Sequence, residues 1–264
     1  MRKKLVVGNW KMNLTQAEAA SVVESLIHNV TSQDEVEVAV CPSYLSICRV
    51  RDIARKTNLK VGAQDVFWVD SGAFTGKVSA HMLVDAGVQL CIVGHSETRG
   101  RFGKLDIAEE TVSHFAETNQ TVNLKLKSLL YRNIVPILCV GETLIEREKG
   151  LTDEVIRMQL TEGFAGVDGS EYWEGVVAYE PVWAIGTGKS CDSTEASRVC
   201  GFIRKTVAAC IGADVAEEVR VLYGGSVKSS NSTELFKQPD IDGGLVGGAS
   251  LDPEEFCRIV MSAK

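Results

Sequence analysis

Short apolar runs rich in Val, Ile and Leu alternate along this chain with longer stretches in which apolar residues recur every three or four positions between charged ones. The runs at 5–7, 36–41, 59–63, 90–93, 134–140, 176–179, 219–222 and 241–246 have the length and composition of buried strands. Each gives way to a polar or turn-forming residue, among them Asn9, Pro42, Gln64, Gly94, Gly141, Glu180, Gly224 and Gly247. Helices are expected over about 15–28, 44–56, 79–85, 119–132, 152–164 and 192–210, and from Asp252 onward. Three of them carry start signals. Thr15 with Glu18, and Asp192 with Glu195, have capping-box spacing, and Asp252-Pro253-Glu254-Glu255 sets an N-cap, a first-turn proline and an acid in order.

Eight strands in strict alternation with helices, without a linker or low-complexity break, imply a parallel sheet covered by helices. Eight such units in 264 residues is the arithmetic of a single (β/α)8 barrel spanning 1–264, with a doubly wound open sheet as the alternative. Composition narrows the function. Hydrophobic residues at 45% and charged residues at 24% describe an ordinary folded chain. A net charge of −7 offers no basic field for nucleic acid or an anionic membrane, so an anionic ligand would have to be attracted locally. The eight cysteines include no C-x-x-C pair and several lie inside apolar runs, which suits buried reduced thiols. The apolar run before Gly8 is only three residues, Leu5 to Val7, too few for a signal-peptide core, and no run is long enough to span a membrane. A cytoplasmic location is expected.

In a barrel the chemistry belongs after the strands, at their carboxyl ends. Asn9, Lys11, His95, Glu180, the Gly224-Gly225-Ser226 turn and the Gly247-Gly248 pair all fall there. Glu180 ends a buried run and is followed by Pro181 and then by Gly186 and Gly188, the pattern of a base beneath a loop that is stiff at its start and flexible at its end. Burial there is expected to raise the carboxyl pKa toward that of a useful base. His95 ends another strand, whereas His28, His81 and His114 lie in helical or loop segments and read as structural. Lys11 is the local positive charge, and the glycine pairs after the seventh and eighth strands can offer backbone N–H groups to a phosphate. No His/Cys/Asp cluster supplies a metal site, so no metal is expected. Gly188-Lys189-Ser190 is not the end of a P-loop, because Trp183 occupies the first glycine position, and Cys191 stands where a dinucleotide motif needs its third glycine.

The stretches Gly8-Asn9-Trp10-Lys11-Met12-Asn13, Val93-Gly94-His95-Ser96-Glu97, Ala178-Tyr179-Glu180-Pro181-Val182-Trp183-Ala184-Ile185-Gly186-Thr187-Gly188-Lys189, Tyr223-Gly224-Gly225-Ser226-Val227 and Gly244-Leu245-Val246-Gly247-Gly248-Ala249-Ser250-Leu251 resemble the triosephosphate isomerase family. The resemblance spans nearly the whole chain. It implies a cofactor-free interconversion of dihydroxyacetone phosphate and D-glyceraldehyde 3-phosphate through an enediol(ate), within glycolysis and gluconeogenesis. Glu180 would move the proton between carbons, neutral His95 would polarise the carbonyl and shuttle protons between oxygens, and Lys11 and Asn9 would stabilise the developing charge. Ser96 would hold the base in the open state and Glu97 would pair with the lysine. Gly186, Ser226, Gly247 and Gly248 would grip the phosphate, and closure of the 181–189 loop would exclude water. A homodimer is implied as well. Two other readings stand beside this one: an isomerase of a four-carbon ketose phosphate, and a barrel that binds a sugar phosphate without turning it over.

Some positions depart from the family pattern. The loop after the third strand usually carries Thr-Gly-Glu and here reads Thr75-Gly76-Lys77, and the residue after Ser-Glu of the histidine motif, usually Arg, is Thr98. Those two family residues meet between subunits, so both ends of that contact have changed. Asp65 stands where Asn is common, and 99–111 has the look of an insertion. An acid of that insertion, Asp106, Glu109 or Glu110, is expected to pair with Lys77 across the interface.

Overall fold

The computed structural model describes residues 2–30, 35–104 and 107–264. In chain order the strands and α-helices are β1 Lys4–Asn9, α1 Gln16–Val30, β2 Val36–Cys41, α2 Ile47–Ala54, β3 Lys60–Ala63, α3 Ala80–Asp85, β4 Leu90–Val93, α4 Asn119–Tyr131, β5 Val135–Val140, α5 Leu144–Glu148, α6 Thr152–Gly163, β6 Val176–Tyr179, α7 Ser193–Ile211, α8 Ala213–Glu218, β7 Arg220–Tyr223, α9 Ser229–Phe236, β8 Gly243–Val246 and α10 Pro253–Met261. The strands pair in parallel in sequence order, and β8 returns to β1 to close the sheet. This is a single (β/α)8 barrel, and the eight apolar runs are its eight strands. The open-sheet alternative is excluded by the β1–β8 ladder, in which Leu5 to Gly8 stand opposite Gly243 to Val246.

Alternation within each strand divides the core in two. Leu5, Val7, Leu90, Ile92, Ile137, Cys139, Val176, Ala178, Leu222 and Leu245 fill the barrel interior, while Val6, Cys91, Val93, Leu138, Val177 and Val221 face the helices. Gly243 makes the final closure possible. Its φ is +137°, and a Cβ there would fall 1.9 Å from the Leu5 carbonyl oxygen, so only glycine lets β8 lie against β1. The amino-terminal face is held by ion pairs: buried Asp242 accepts from Arg2, Arg204 and the Val221 N–H, and Glu37 pairs with Arg220 and Lys60.

The start signals work as spaced. The Glu18 carboxylate accepts the Thr15 N–H at 2.7 Å while Thr15 Oγ1 accepts the Glu18 N–H at 3.4 Å, Asp192 accepts from the Glu195 N–H, and Asp252 accepts from the N–H groups of Glu254 and Glu255 ahead of Pro253-led α10. At the start of the 99–111 segment, Arg99 is built into the barrel top, donating to the carbonyls of Gly94 and Cys139, and Arg101 donates to the Gly141 carbonyl. The thiols are all free, and Cys41, Cys91, Cys139, Cys191 and Cys200 are buried as expected, whereas Cys48 is exposed and Cys210 and Cys257 are half-buried. Among the described residues no helix is long and apolar enough to cross a membrane.

Candidate active site

Lys11 leaves β1 in the left-handed region, φ +49°, a conformation that costs a non-glycine residue about 1–2 kcal/mol. Two side chains hold it there. Asn9 Oδ1 accepts the Lys11 N–H at 3.0 Å, and Gln64 Nε2 donates to the Lys11 carbonyl at 2.8 Å and to the Cys41 carbonyl at 2.9 Å. The ammonium group then meets the Glu97 carboxylate at 2.5 Å.

His95 follows β4 and is buried. Its Nδ1 accepts the Glu97 N–H at 3.2 Å and so carries no proton, which leaves the imidazole neutral with its proton on Nε2. That N–H donates to Glu180 Oε1 at 2.8 Å. Glu180, just past β6, also accepts the Ser96 N–H at 2.9 Å on Oε2, with Ser96 Oγ 3.4 Å from Oε1. The carboxylate is 1% exposed. Burial alone pushes its pKa up, but the hydrogen bonds from the neutral His95 Nε2–H and the Ser96 N–H, with the Lys11 charge nearby, hold it below the ordinary carboxylate value. The expected rise is therefore not what this conformation gives. Burial would dominate only after the carboxylate left both His95 and Ser96.

A cavity of about 420 Å³ opens at the carboxyl ends of the strands, lined by Asn9, Lys11, His95, Gly186, Ser226, Gly247 and Gly248, with Asn13, Gly224, Gly225 and Lys228 among its other walls. Glu180, Ser96 and Glu97 do not line it; they stand behind His95 and Lys11. The turn carbonyls are engaged by protein: Asn231 donates to Ser226 O at 2.9 Å, and Ser250 donates twice to Gly247 O. Among the described residues no cluster of His, Cys, Asp and Glu is arranged to hold a metal ion.

The 181–189 loop lies along one wall, and Gly186 and Gly188 take left-handed φ values of +70° and +77° at its tip. Its start is tied to Glu142, which is fully buried just past β5. The Val182 N–H donates to the Glu142 carbonyl at 3.1 Å, and Glu142 Oε1 accepts from Trp183 Nε1 at 2.8 Å and the Tyr179 hydroxyl at 3.2 Å, while Oε2 has no partner. Arg147 lies over the Trp183 ring, 4.5 Å from its centroid. Burial pushes the Glu142 carboxyl up. The sequence reading assigned no role to Glu142 or Gln64. Both carry the strand-end signal, Glu142 after β5 and Gln64 directly after β3, and Gln64 acts by pinning the Lys11 and Cys41 carbonyls rather than by facing the cavity.

A second cavity, about 520 Å³, adjoins the first through Glu97, and Asp65, Lys77, Thr98, Glu117 and Lys125 line it. Lys125 bridges Asp65 at 2.6 Å and Glu117 at 2.5 Å, and Thr98 donates to Glu117. Glu109 and Glu110 are exposed and do not line this cavity, and Asp106 lies outside the described residues.

The family model described as triosephosphate isomerase matches residues 4–263. The chain is 46% identical to the triosephosphate isomerase of Alkaliphilus oremlandii over 98% of this chain and 99% of that one. It is 47% identical to that of Moorella thermoacetica, over 98% of each, and 48% identical to that of Prosthecochloris aestuarii, over 100% of this chain and 99% of that one. With the barrel closed and these matches running from end to end, the chain belongs to the triosephosphate isomerase family.

Proposed function

We propose that the 420 Å³ cavity is where this aldose–ketose isomerase interconverts dihydroxyacetone phosphate and D-glyceraldehyde 3-phosphate, and that residues 1–264 form one catalytic unit. The observation that carries the reading is the Glu180–His95 pair, a carboxylate and a neutral imidazole 2.8 Å apart, with Lys11 beside them on the cavity wall.

Moving a proton between adjacent carbons is redox-neutral, so the reaction asks for a base, an electrophile and a phosphate grip, and no cofactor is proposed. Glu180, turned out from Ser96 toward the substrate, takes the proton beside the carbonyl. Away from the Ser96 and His95 hydrogen bonds, burial raises its pKa and strengthens it as a base. The His95 Nε2–H, released from Glu180, donates to the carbonyl oxygen where charge develops, and a neutral donor can return its proton as the enediol forms. Lys11 and Asn9 stabilise the same oxyanion. The phosphate is held by the backbone N–H edges of Gly186, Ser226, Gly247 and Gly248; the carbonyls of Ser226 and Gly247 are occupied elsewhere, which supports turns presenting their amide side. Lys11 and Lys228 supply the local positive field in an acidic chain.

A homodimer is part of this proposal. Residues 71–77 form an exposed run that includes Phe74, and Met12 and Leu45 are among the most exposed apolar side chains. Lys77, the cation in the exposed run, lines the second cavity of its own copy, where Lys125 already bridges Asp65 and Glu117. Lys77 of one copy reaches an acid of the 99–111 segment of the other, and Glu109 and Glu110 are both exposed. Action in the cytoplasm, in glycolysis and gluconeogenesis, follows from the same reading.

A coupled assay on purified protein tests the substrate. Turnover of dihydroxyacetone phosphate should far exceed that of a four-carbon ketose phosphate. Equal or reversed preference would move the reading to the larger substrate, and binding without turnover would leave a non-catalytic barrel.

A further inference from the structure

The chain just after His95 forms a fixed shelf. Buried Arg99 donates to the Gly94 carbonyl at 2.6 Å, to Asn119 and to the Cys139 carbonyl at 3.3 Å. The Arg101 N–H donates to the Ser96 carbonyl at 2.8 Å, and its guanidinium reaches the Gly141 carbonyl at 3.3 Å and the Glu146 carboxylate. From the outer side, Gly100 packs on Val112 and Ala116, and the Thr98 carbonyl accepts the Glu117 N–H at 2.9 Å.

Gly103, two residues past Arg101, lies directly against the 181–189 lid. A Cβ there would stand 2.4 Å from the carbonyl oxygens of both Val182 and Ile185 and 3.0 Å from Thr187 Cγ2. Its φ lies outside the left-handed region, so backbone conformation does not call for glycine at this position. The contact does. Val182 is two residues from Glu180, and Ile185 lines the cavity, so this one glycine touches both the start of the lid and the part that faces substrate.

We propose that Gly103 is a positioning residue for the isomerisation: by seating the Val182 and Ile185 carbonyls on the Arg99-anchored shelf, it sets how stably the lid rests while Glu180 is held by Ser96 and His95. The proposal rests on the reading of Glu180 as the base. Glu180 and the lid share one short connection, so turning the carboxylate toward substrate and lifting the carbonyls from Gly103 belong to one displacement. A side chain at 103 penalises the seated state and not the lifted one, which shifts the population toward the substrate-facing state by that difference alone.

Gly103→Ala tests this, with 2-phosphoglycolate as probe because its carboxylate and phosphate reproduce the charges of the enediolate. The Kd for 2-phosphoglycolate and the KM for dihydroxyacetone phosphate should fall together by about three- to tenfold, with kcat falling as the lid reopens less readily. Arg101→Gln, which keeps the glycine but loosens the shelf, should tighten the probe in the same direction by a smaller factor, and it serves as the reporter if the alanine variant does not fold. Unchanged or weakened probe binding in the folded variants, with wild-type binding intact, overturns the proposal. Wild-type protein that does not bind 2-phosphoglycolate would instead overturn the reading of the site.

Discussion

Glu180 and Glu142 occupy equivalent places, the first past β6 and the second past β5, and their surroundings drive them in opposite directions. Glu180 has the His95 and Ser96 N–H donors and a nearby ammonium, and it is held below its ordinary value of 4.5. Its stabilising contribution is therefore present above pH 4.5 and is lost as pH falls through its own lower pKa. Glu142 has Arg147 3.5 Å from its satisfied oxygen, but its other oxygen is orphaned, and burial outweighs these partners and raises it above 4.5. Its contribution is fully present below pH 4.5 and is lost as pH rises through its folded pKa, so at neutral pH the ionised group costs stability. Glu142→Gln keeps an acceptor for Trp183 and Tyr179 and removes that charge. The variant should melt a few degrees above wild type near pH 7.5, the order expected for about 1 kcal/mol in a chain of this size, and the gap should close as pH falls toward 4.5. A lower melting temperature at pH 7.5 would contradict this account of Glu142. Asn9, Lys11, His95 and Glu180 were legible in the sequence because strand-end position filters the polar residues to those at one face of the barrel. Glu142 carries the same signal, but it acts on the lid from behind and does not line the cavity.

At the scale of elements, every apolar run became a strand, with ends shifted by a residue or so where glycine or a polar group continues the ladder, as Gly8 and Asn9 do in β1. The short helices α5, α8 and α9 were not anticipated. Thr143 and Glu146 form a complete capping box for α5, so that start could have been read. The start of α9, Ser229-Ser230-Asn231-Ser232, has loop composition and is held by tertiary contacts such as Glu255 on the Ser229 N–H. Capping contributions can be measured directly. Asp252→Ala removes the acceptor for two α10 N–H groups and should lower stability to urea by about 0.5–2 kcal/mol, with turnover unchanged. The lid was legible as a Pro-led, Gly-ended loop, whereas its seat on Gly103 was not, because the contact joins backbone to backbone and leaves no side-chain pattern.

Across the whole molecule the two barrel ends divide the work. The amino-terminal face carries paired charges, Asp242 with Arg2 and Arg204 and Glu37 with Lys60 and Arg220, and the carboxyl face carries the cavities. Glu97 connects the two cavities, reaching Lys11 in one and lining the other. Assembly between copies would thus bear on the lysine that faces substrate. Lys77→Glu should raise the dimer dissociation constant at least about tenfold, or roughly 1.4 kcal/mol, measured by sedimentation at moderate salt, and Glu109→Gln combined with Glu110→Gln should raise it in the same direction. A dissociation constant insensitive to Lys77→Glu would remove Lys77 from the interface. The Lys125 cluster could not be read from sequence, because Asp65 and Glu117 come together only through Lys125, a residue on α4 that the strand-end filter passes over.

The catalytic assignment meets its most direct test in Glu180→Gln, assayed for turnover of dihydroxyacetone phosphate and for phosphate affinity in the same preparation. Loss of the general base should lower kcat by at least about 10²- to 10⁴-fold, with inorganic phosphate still bound at near wild-type affinity. Near-normal turnover in that variant would contradict the role given to Glu180.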